Sequence, residues 1–226
     1  MNFDHAISLT QTLLGFAFAV QSIEHFRAVG AERWLYLSRF VLSLCLLFGM
    51  YTNIVLALLF VVMVLILQRF QGPYNGGSDR MGILILTSLC LTHLAPNKHW
   101  QEIAFGYLAI QLVLSYFISG WVKVVNPEWR SGLALRDVFQ FSTYPVSESL
   151  RHWQHSPQLL LTVSWAVIIF ELIFPIALIS QTTLVIALII AAMFHFSNAC
   201  FFGLNRFFWT WISAYPSLLW LQARIT

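Results

Sequence analysis

The sequence predicts an all-α polytopic membrane protein of about eight transmembrane helices, with the N-terminus and the C-terminus both outside. Three observations predict it. Of 226 residues, 59% are hydrophobic and only 9% are charged, whereas a soluble domain of this length carries about 25% charged residues. The mean hydropathy is +0.75. The apolar residues also gather into runs of about twenty, the length of helix that crosses a hydrocarbon core.

Each span follows from a run and its breakers. The first, 6–26, overlaps MNFDHAISLTQT, which lacks the basic region and small-residue cleavage site of a signal peptide, so it is expected to stay in the membrane. RAVGAERW separates it from the second, 34–50. The turn GMYTN leads into the third, 52–69, and QGPYNGGSD, rich in helix-breaking Gly, Pro and Asn, leads into the fourth, 80–95. LAPNKHW closes that short span ahead of the fifth, 103–124. The sixth, 158–180, and the seventh, 182–203, are joined by little more than Gln181. The eighth, 206–223, begins with Arg206 and an aromatic cluster that can also make an interfacial segment.

No internal repeat is present, and residues 1–226 read as a single transmembrane helical domain. Its only long non-spanning segment is 125–157. There Leu133, Val138, Phe139 and Phe141 stand at helical spacing. They make either an amphipathic helix at the membrane surface or a connecting loop with one short helix.

The basic residues orient the spans. With the N-terminus outside, Arg27, Arg33, Arg39, Arg69, Arg80, Arg130, Arg136, Arg151 and Arg206 fall inside, and only Lys98 and Arg224 fall outside. Cytoplasmic loops carry such an excess of Lys and Arg, and the expected location is the bacterial inner (plasma) membrane. A net charge of +3 arises from residues between apolar segments, so membrane lipid is the expected surrounding and nucleic acid is not an expected partner. Cys45, Cys90 and Cys200 are isolated in apolar runs, without a CxxC, and read as small buried hydrophobes.

Function is indicated by charge inside apolar sequence. Lys123, Glu171 and His195 interrupt or close spans, and an ionisable side chain in hydrocarbon costs about 2.5–3.5 kcal/mol on insertion scales, so it usually faces a polar interior. At 1.5 Å per residue, Glu171 lies ~15 Å and His195 ~21 Å from the turn at Gln181. Glu24, His25 and Lys123 fall at inner helix ends, and Asn198 sits about one turn beyond His195. These groups are candidates to surround one polar cavity. Blander roles stay open for each. Lys123 can snorkel to the interface, His195 can be a core histidine bonding a carbonyl, and Glu24 and His25 can form a helix-end charge cluster with Arg27. Trp129, like Trp121 and Trp153, can belong to an interfacial aromatic belt.

Metal and haem are not expected. His152 and His155 lie three apart, but no carboxylate or cysteine completes a ligand set. His93 and His195 fall at different depths, and no Walker loop, GxGxxG or GxSxG is present.

At residues 116–132, YFISGWVKVVNPEWRSG, an aromatic pair precedes Gly120, Lys123, Trp129 and Gly132. Asn75–Asp79, Glu171–Phe174–Pro175, Phe194–His195 and Arg206–Trp209 follow the same pattern in order. Together these resemble the transmembrane domain shared by vitamin K-dependent gamma-carboxylases and HTTM proteins. The resemblance implies a helical fold with a quinone-type pocket. In the carboxylases a lysine of this motif acts as base on reduced vitamin K, opening oxygenation to an epoxide that drives carboxylation of glutamate. Lys123 is the matching position, and Glu171 and His195 are the accompanying catalytic candidates. Glu24, His25, Trp129, Asn198 and Arg206 are candidates to bind the cofactor, a menaquinone- or ubiquinone-like quinone or quinol. Two departures are visible: the Lys123–Trp129 spacing is one residue longer than in the carboxylases, and the large extramembrane region that carries their peptide substrate is not in this sequence. A partner protein is therefore expected to supply it.

Three functions compete. In the first, a quinol-dependent oxidoreductase or carboxylase-like enzyme uses Lys123 as base with a partner protein. In the second, a non-catalytic anchor docks quinone in a redox complex. A proton-coupled transporter with Glu171 as carrier ranks third, because no repeated halves are seen.

Overall fold

The computed structural model describes residues 1–27, 29–69, 76–141 and 148–226. They form α1 (Phe3–Ile23), α2 (Ala31–Leu47), α3 (Thr52–Arg69), α4 (Gly76–Leu94), α5 (Lys98–Val125), α6 (Pro127–Arg130), α7 (Leu133–Phe141), α8 (Glu148–Arg151), α9 (Pro157–Ile173), α10 (Gln181–Phe202) and α11 (Asn205–Ile225). Two 3₁₀ segments, His152–His155 and Phe174–Ile179, complete the path. No strand occurs among the described residues, so the all-α expectation holds.

Five helical segments among the described residues are long and apolar enough to cross a membrane: α1, α3, α5, α9 with its 3₁₀ continuation, and α10, at mean hydropathies of 1.4–2.3. The other three expected spans are helices too, but α2 is short, at 17 residues, and carries Glu32, Arg33 and Arg39, and polar residues dilute α4 and α11. Large apolar side chains point outward, among them Ile54 and Val61 on α3 and Ile186, Ile189 and Met193 on α10. Such surfaces suit lipid rather than water.

The chain divides into two compact units. The first comprises Met1–Ile110 and Arg206–Ile225. Asn2 caps α1 by accepting the His5 N–H at 2.8 Å, one of the donors a helix start leaves unsatisfied. Antiparallel α1 and α2 pack together, α3 and α4 follow, and Leu14, Phe18, Leu59, Met63, Leu86 and Phe105 fill the interior.

The second unit comprises Gln111–Asn205 with Thr226. It holds the latter half of α5, the short helices, α9 and α10. Proline 175 shapes its centre. A proline lacks the N–H that would bond the carbonyl four residues back, and its ring crowds that carbonyl. The carbonyl is that of Glu171, and the α-helix gives way to 3₁₀ at Phe174. Ser180, rather than Gln181, makes the next joint: it caps α10 in a reciprocal capping box with Thr183.

Among its described residues the segment 125–157 holds the short helices α6, α7 and α8 and the 3₁₀ turn His152–His155; the four apolar candidates fall on α7, and residues 142–147 lie outside the described residues. Of its four apolar candidates Phe139 is buried, whereas Leu133, Val138 and Phe141 are exposed. Phe139 packs on Trp153 and Phe202 at ring-centroid distances of 5.8 and 5.1 Å. Gly132 lets this segment turn against α9. Its φ is +77°, and a Cβ there would lie 3.0 Å from the Leu161 backbone nitrogen. Gly132→Ala is expected to cost about 1–3 kcal/mol from the left-handed backbone and the crowding, read as a lower thermal midpoint in detergent.

Candidate functional site

In the second unit, Lys123 on α5 and Glu171 on α9 form an ion pair. Lys123 Nζ donates to Glu171 Oε2 at 2.6 Å and to Oε1 at 2.9 Å, and the side chains are 17% and 4% exposed. Lys123 therefore does not snorkel away, and Glu171 meets the requirement of a buried carboxylate for a partner. The contact depends on close helix approach. Gly120 lies one turn before Lys123, and a Cβ there would sit 2.8 Å from the Leu172 backbone nitrogen and 3.0 Å from Glu171 Cβ. The absent side chain lets α5 and α9 meet where the charges pair.

Trp129 covers the ammonium, with Lys123 Nζ 5.3 Å from its ring centroid, a cation–π arrangement. α6 is fixed to α9 from below. Ser164 Oγ donates to the Trp129 carbonyl at 2.5 Å, and Trp165 Nε1 donates to the Arg130 carbonyl at 3.1 Å. Trp129 is thus held at this site, whatever its role at a membrane boundary.

Seven residues before Lys123, two turns earlier on the same face of α5, Tyr116 forms a hydrogen bond between its hydroxyl and His195 Nε2 at 3.0 Å. Both side chains are buried. The Tyr116 ring stacks on Phe174 at 4.1 Å, with Phe170 edge-on at 6.2 Å. Tyr116→Phe is expected to cost about 0.5–1.5 kcal/mol by deleting a partner of a buried imidazole. A thermal midpoint equal to wild type would contradict this. Asn198 is half-buried and contributes its backbone carbonyl to the end of α10, bonding Leu204 N at 3.3 Å. It makes no side-chain hydrogen bond among the described residues.

The remaining candidates meet in the first unit. Arg206 Nε donates to Glu24 Oε2 at 2.8 Å, and Arg206 Nη2 lies 3.0 Å from the His25 ring nitrogens. His25 stacks on Tyr36 at 3.9 Å. Glu24 and His25 thus answer to Arg206, not to their neighbour Arg27. Among the described residues no three His, Cys, Asp or Glu side chains come together as a metal site would need.

The HTTM domain profile matches residues 95–222, more than half the chain. The chain belongs to the HTTM family. With its apolar helices, it is a membrane protein. No curated protein and no solved structure matches the chain. The HTTM match contains Lys123, Trp129, Glu171, His195, Asn198 and Arg206, and leaves Glu24 and His25 outside it.

Two contributors escaped sequence reasoning. Tyr116 carried a signal, as the first aromatic of the motif around Gly120 and Lys123, but its partner is 79 positions away. Arg39, counted among inside-loop charges, instead lies within α2 at 1% exposure.

Proposed function

We propose that this HTTM protein binds a quinone- or quinol-type lipid beside Lys123 and uses Lys123 as a base in quinol-linked oxidation or modification chemistry with a partner protein. In this reading all eight expected helices cross the bacterial inner membrane, with both termini outside. The observation that carries it is the buried Lys123–Glu171 pair under the Trp129 ring. A site for a planar ring with two oxygens needs aromatic faces and polar groups at separate points. Trp129 and the half-buried Phe170 offer aromatic surface, while Lys123 and the Tyr116–His195 pair offer polar groups two turns apart on α5, about 10.5 Å along its axis.

The pair gives Lys123 a route to act as base. Moving a proton from Nζ to the Glu171 carboxylate converts two buried charges into two neutral groups, which an apolar surrounding tolerates. The freed amine can then take a proton from a ring hydroxyl, and its ammonium balances the negative charge that develops. A bound quinol would supply two electrons, passing to an acceptor on the partner protein, and two protons, one to Lys123 Nζ and one to that acceptor. Trp129 and the α6 contacts hold Nζ in place and exclude water.

The test is solvent extraction and mass spectrometry of protein purified in mild detergent. Wild type is expected to carry near-stoichiometric quinone, falling at least tenfold in Lys123→Met and His195→Ala. Bulk phospholipid alone, unchanged by either substitution, contradicts the proposal.

The completeness of the ion pair also favours a second reading. Glu171 already satisfies Lys123, so the site can dock a quinone for a redox partner without chemistry of its own. Bound quinone, stable co-purification with a partner and no quinol oxidation by the lone protein would select it.

A further inference from the structure

The first unit holds a cavity of about 290 Å³ at the end where α1 and α5 begin and α4 finishes. Asp4, Ser8 and Gln11 of α1, Thr92 and His93 of α4, and Gln101 of α5 line it, with Ile7 as its apolar wall. Positions 4, 8 and 11 fall on one face of a helix, which is why α1 presents all three to the same space. Asp4 and Ser8 are exposed at the mouth, whereas Gln11 and Thr92 are buried at the floor. The volume lies near the lower end of ligand cavities, about 300–1,000 Å³, and so sets a small ligand.

The lining is rich in acceptors, and its one formal charge is negative. The Gln11 side-chain N–H donates to His93 Nε2, which leaves Gln11 Oε1 to meet a ligand. The Thr92 hydroxyl donates to the Ser88 carbonyl at 2.7 Å and keeps its lone pairs. The side chains of Asp4, Ser8 and Gln101 make no hydrogen bond or ion pair among the described residues. Two side-chain cations at this end are engaged elsewhere: Lys98 Nζ lies 6.0 Å over the Phe3 ring, and Arg224 Nη2 donates to Glu102 Oε2 at 3.4 Å. An apolar ligand would leave these polar groups without partners, which is costly, and an anion would meet the Asp4 carboxylate. A metal ion would want three His, Cys, Asp or Glu side chains, and no such group occurs among the described residues. A ligand with positive charge and several donors meets what the lining offers.

We propose that this cavity binds a small protonated primary amine that also carries hydroxyl groups, with Asp4 on the ammonium and Gln11, His93 and Gln101 on the hydroxyls. An ammonium presents three donors, and hydrogen bonds from it to a carboxylate are about twice as strong as neutral ones. Hydroxyls both donate and accept, as amides and a neutral imidazole do. Amino sugars and amino alcohols have this chemistry. The inference does not rest on the quinone reading, because the cavity lies in the unit that does not hold Lys123.

The experiment is isothermal titration calorimetry of the full-length protein in detergent with glucosamine, glucose and cyclohexylamine, at a pH where the amines are protonated. Glucose lacks the charge, and cyclohexylamine lacks the hydroxyls. Wild type is expected to bind glucosamine at least tenfold more tightly than either. Asp4→Asn, an exposed position whose substitution should leave the thermal midpoint in place, is expected to bring glucosamine down to the level of glucose. Gln101→Ala is expected to weaken glucosamine at least threefold and to leave cyclohexylamine unchanged. Glucosamine bound no more tightly than glucose or cyclohexylamine, or undiminished in Asp4→Asn, overturns the proposal. Absence of binding by all three compounds overturns it as well.

Discussion

Glu171→Gln is expected to destabilise the protein by about 3 kcal/mol, near the lower end of what breaking a buried ion pair costs. The loss arises because the Lys123 ammonium keeps its charge while the carboxylate that matched it is gone. Partial exposure of Lys123, at 17%, allows some relaxation and sets the value at the low end. Replacing both partners by apolar residues, Lys123→Met with Glu171→Leu, removes the unmatched charge and is expected to restore most of the stability. The double variant should nonetheless carry no quinone. The thermal midpoints of both single variants and the double form a mutant cycle. A coupling below about 1 kcal/mol would place the pair with ordinary surface ion pairs and contradict its role as a buried, matched pair.

Gly120→Val is the second large effect. The first added carbon already meets the Leu172 backbone at 2.8 Å and Glu171 Cβ at 3.0 Å, and backbone cannot rotate away as a side chain can. Overpacking of this kind costs about 1–3 kcal/mol. The more informative consequence is geometric. Spreading α5 from α9 should separate Lys123 from Glu171, so quinone content is expected to fall with stability. Gly106→Val, on the same helix and facing only the Trp220 ring at 3.6 Å, serves as the comparison and should leave quinone content unchanged. Loss of quinone from both variants would point to general helix disruption.

Much of the fold was legible because hydrophobic length is a one-dimensional signal. The third span was expected at 52–69 and α3 covers Thr52–Arg69. The fifth was expected at 103–124, but α5 starts at Lys98 because Asn97, just before it, caps the helix by accepting the Trp100 N–H at 3.2 Å, and residues 98–102 form its first turn outside the apolar run. Charge in apolar sequence likewise marked Lys123 and Glu171, since the cost of burying them is a property of each residue. Their pairing was not legible. They stand 48 positions apart, and only the approach permitted by Gly120 brings them together. The same limit hid Arg206, 182 positions from Glu24, while Arg27 nearby offered a false partner. Arg39 shows a different limit: the positive-inside rule counts charges by place in the chain and cannot tell a loop arginine from one turned into a helix bundle.

In the proposed function a quinone ring lies against the face of α5 that carries Tyr116 and Lys123. Photo-crosslinking with an azidoquinone, followed by peptide mapping, tests that placement without an intervening assumption about turnover. Saturable labelling is expected within residues 116–129 and 164–174, suppressed by excess unlabelled quinone and by Lys123→Met. Saturable labelling confined to other helices, or labelling that Lys123→Met leaves unchanged, would contradict it.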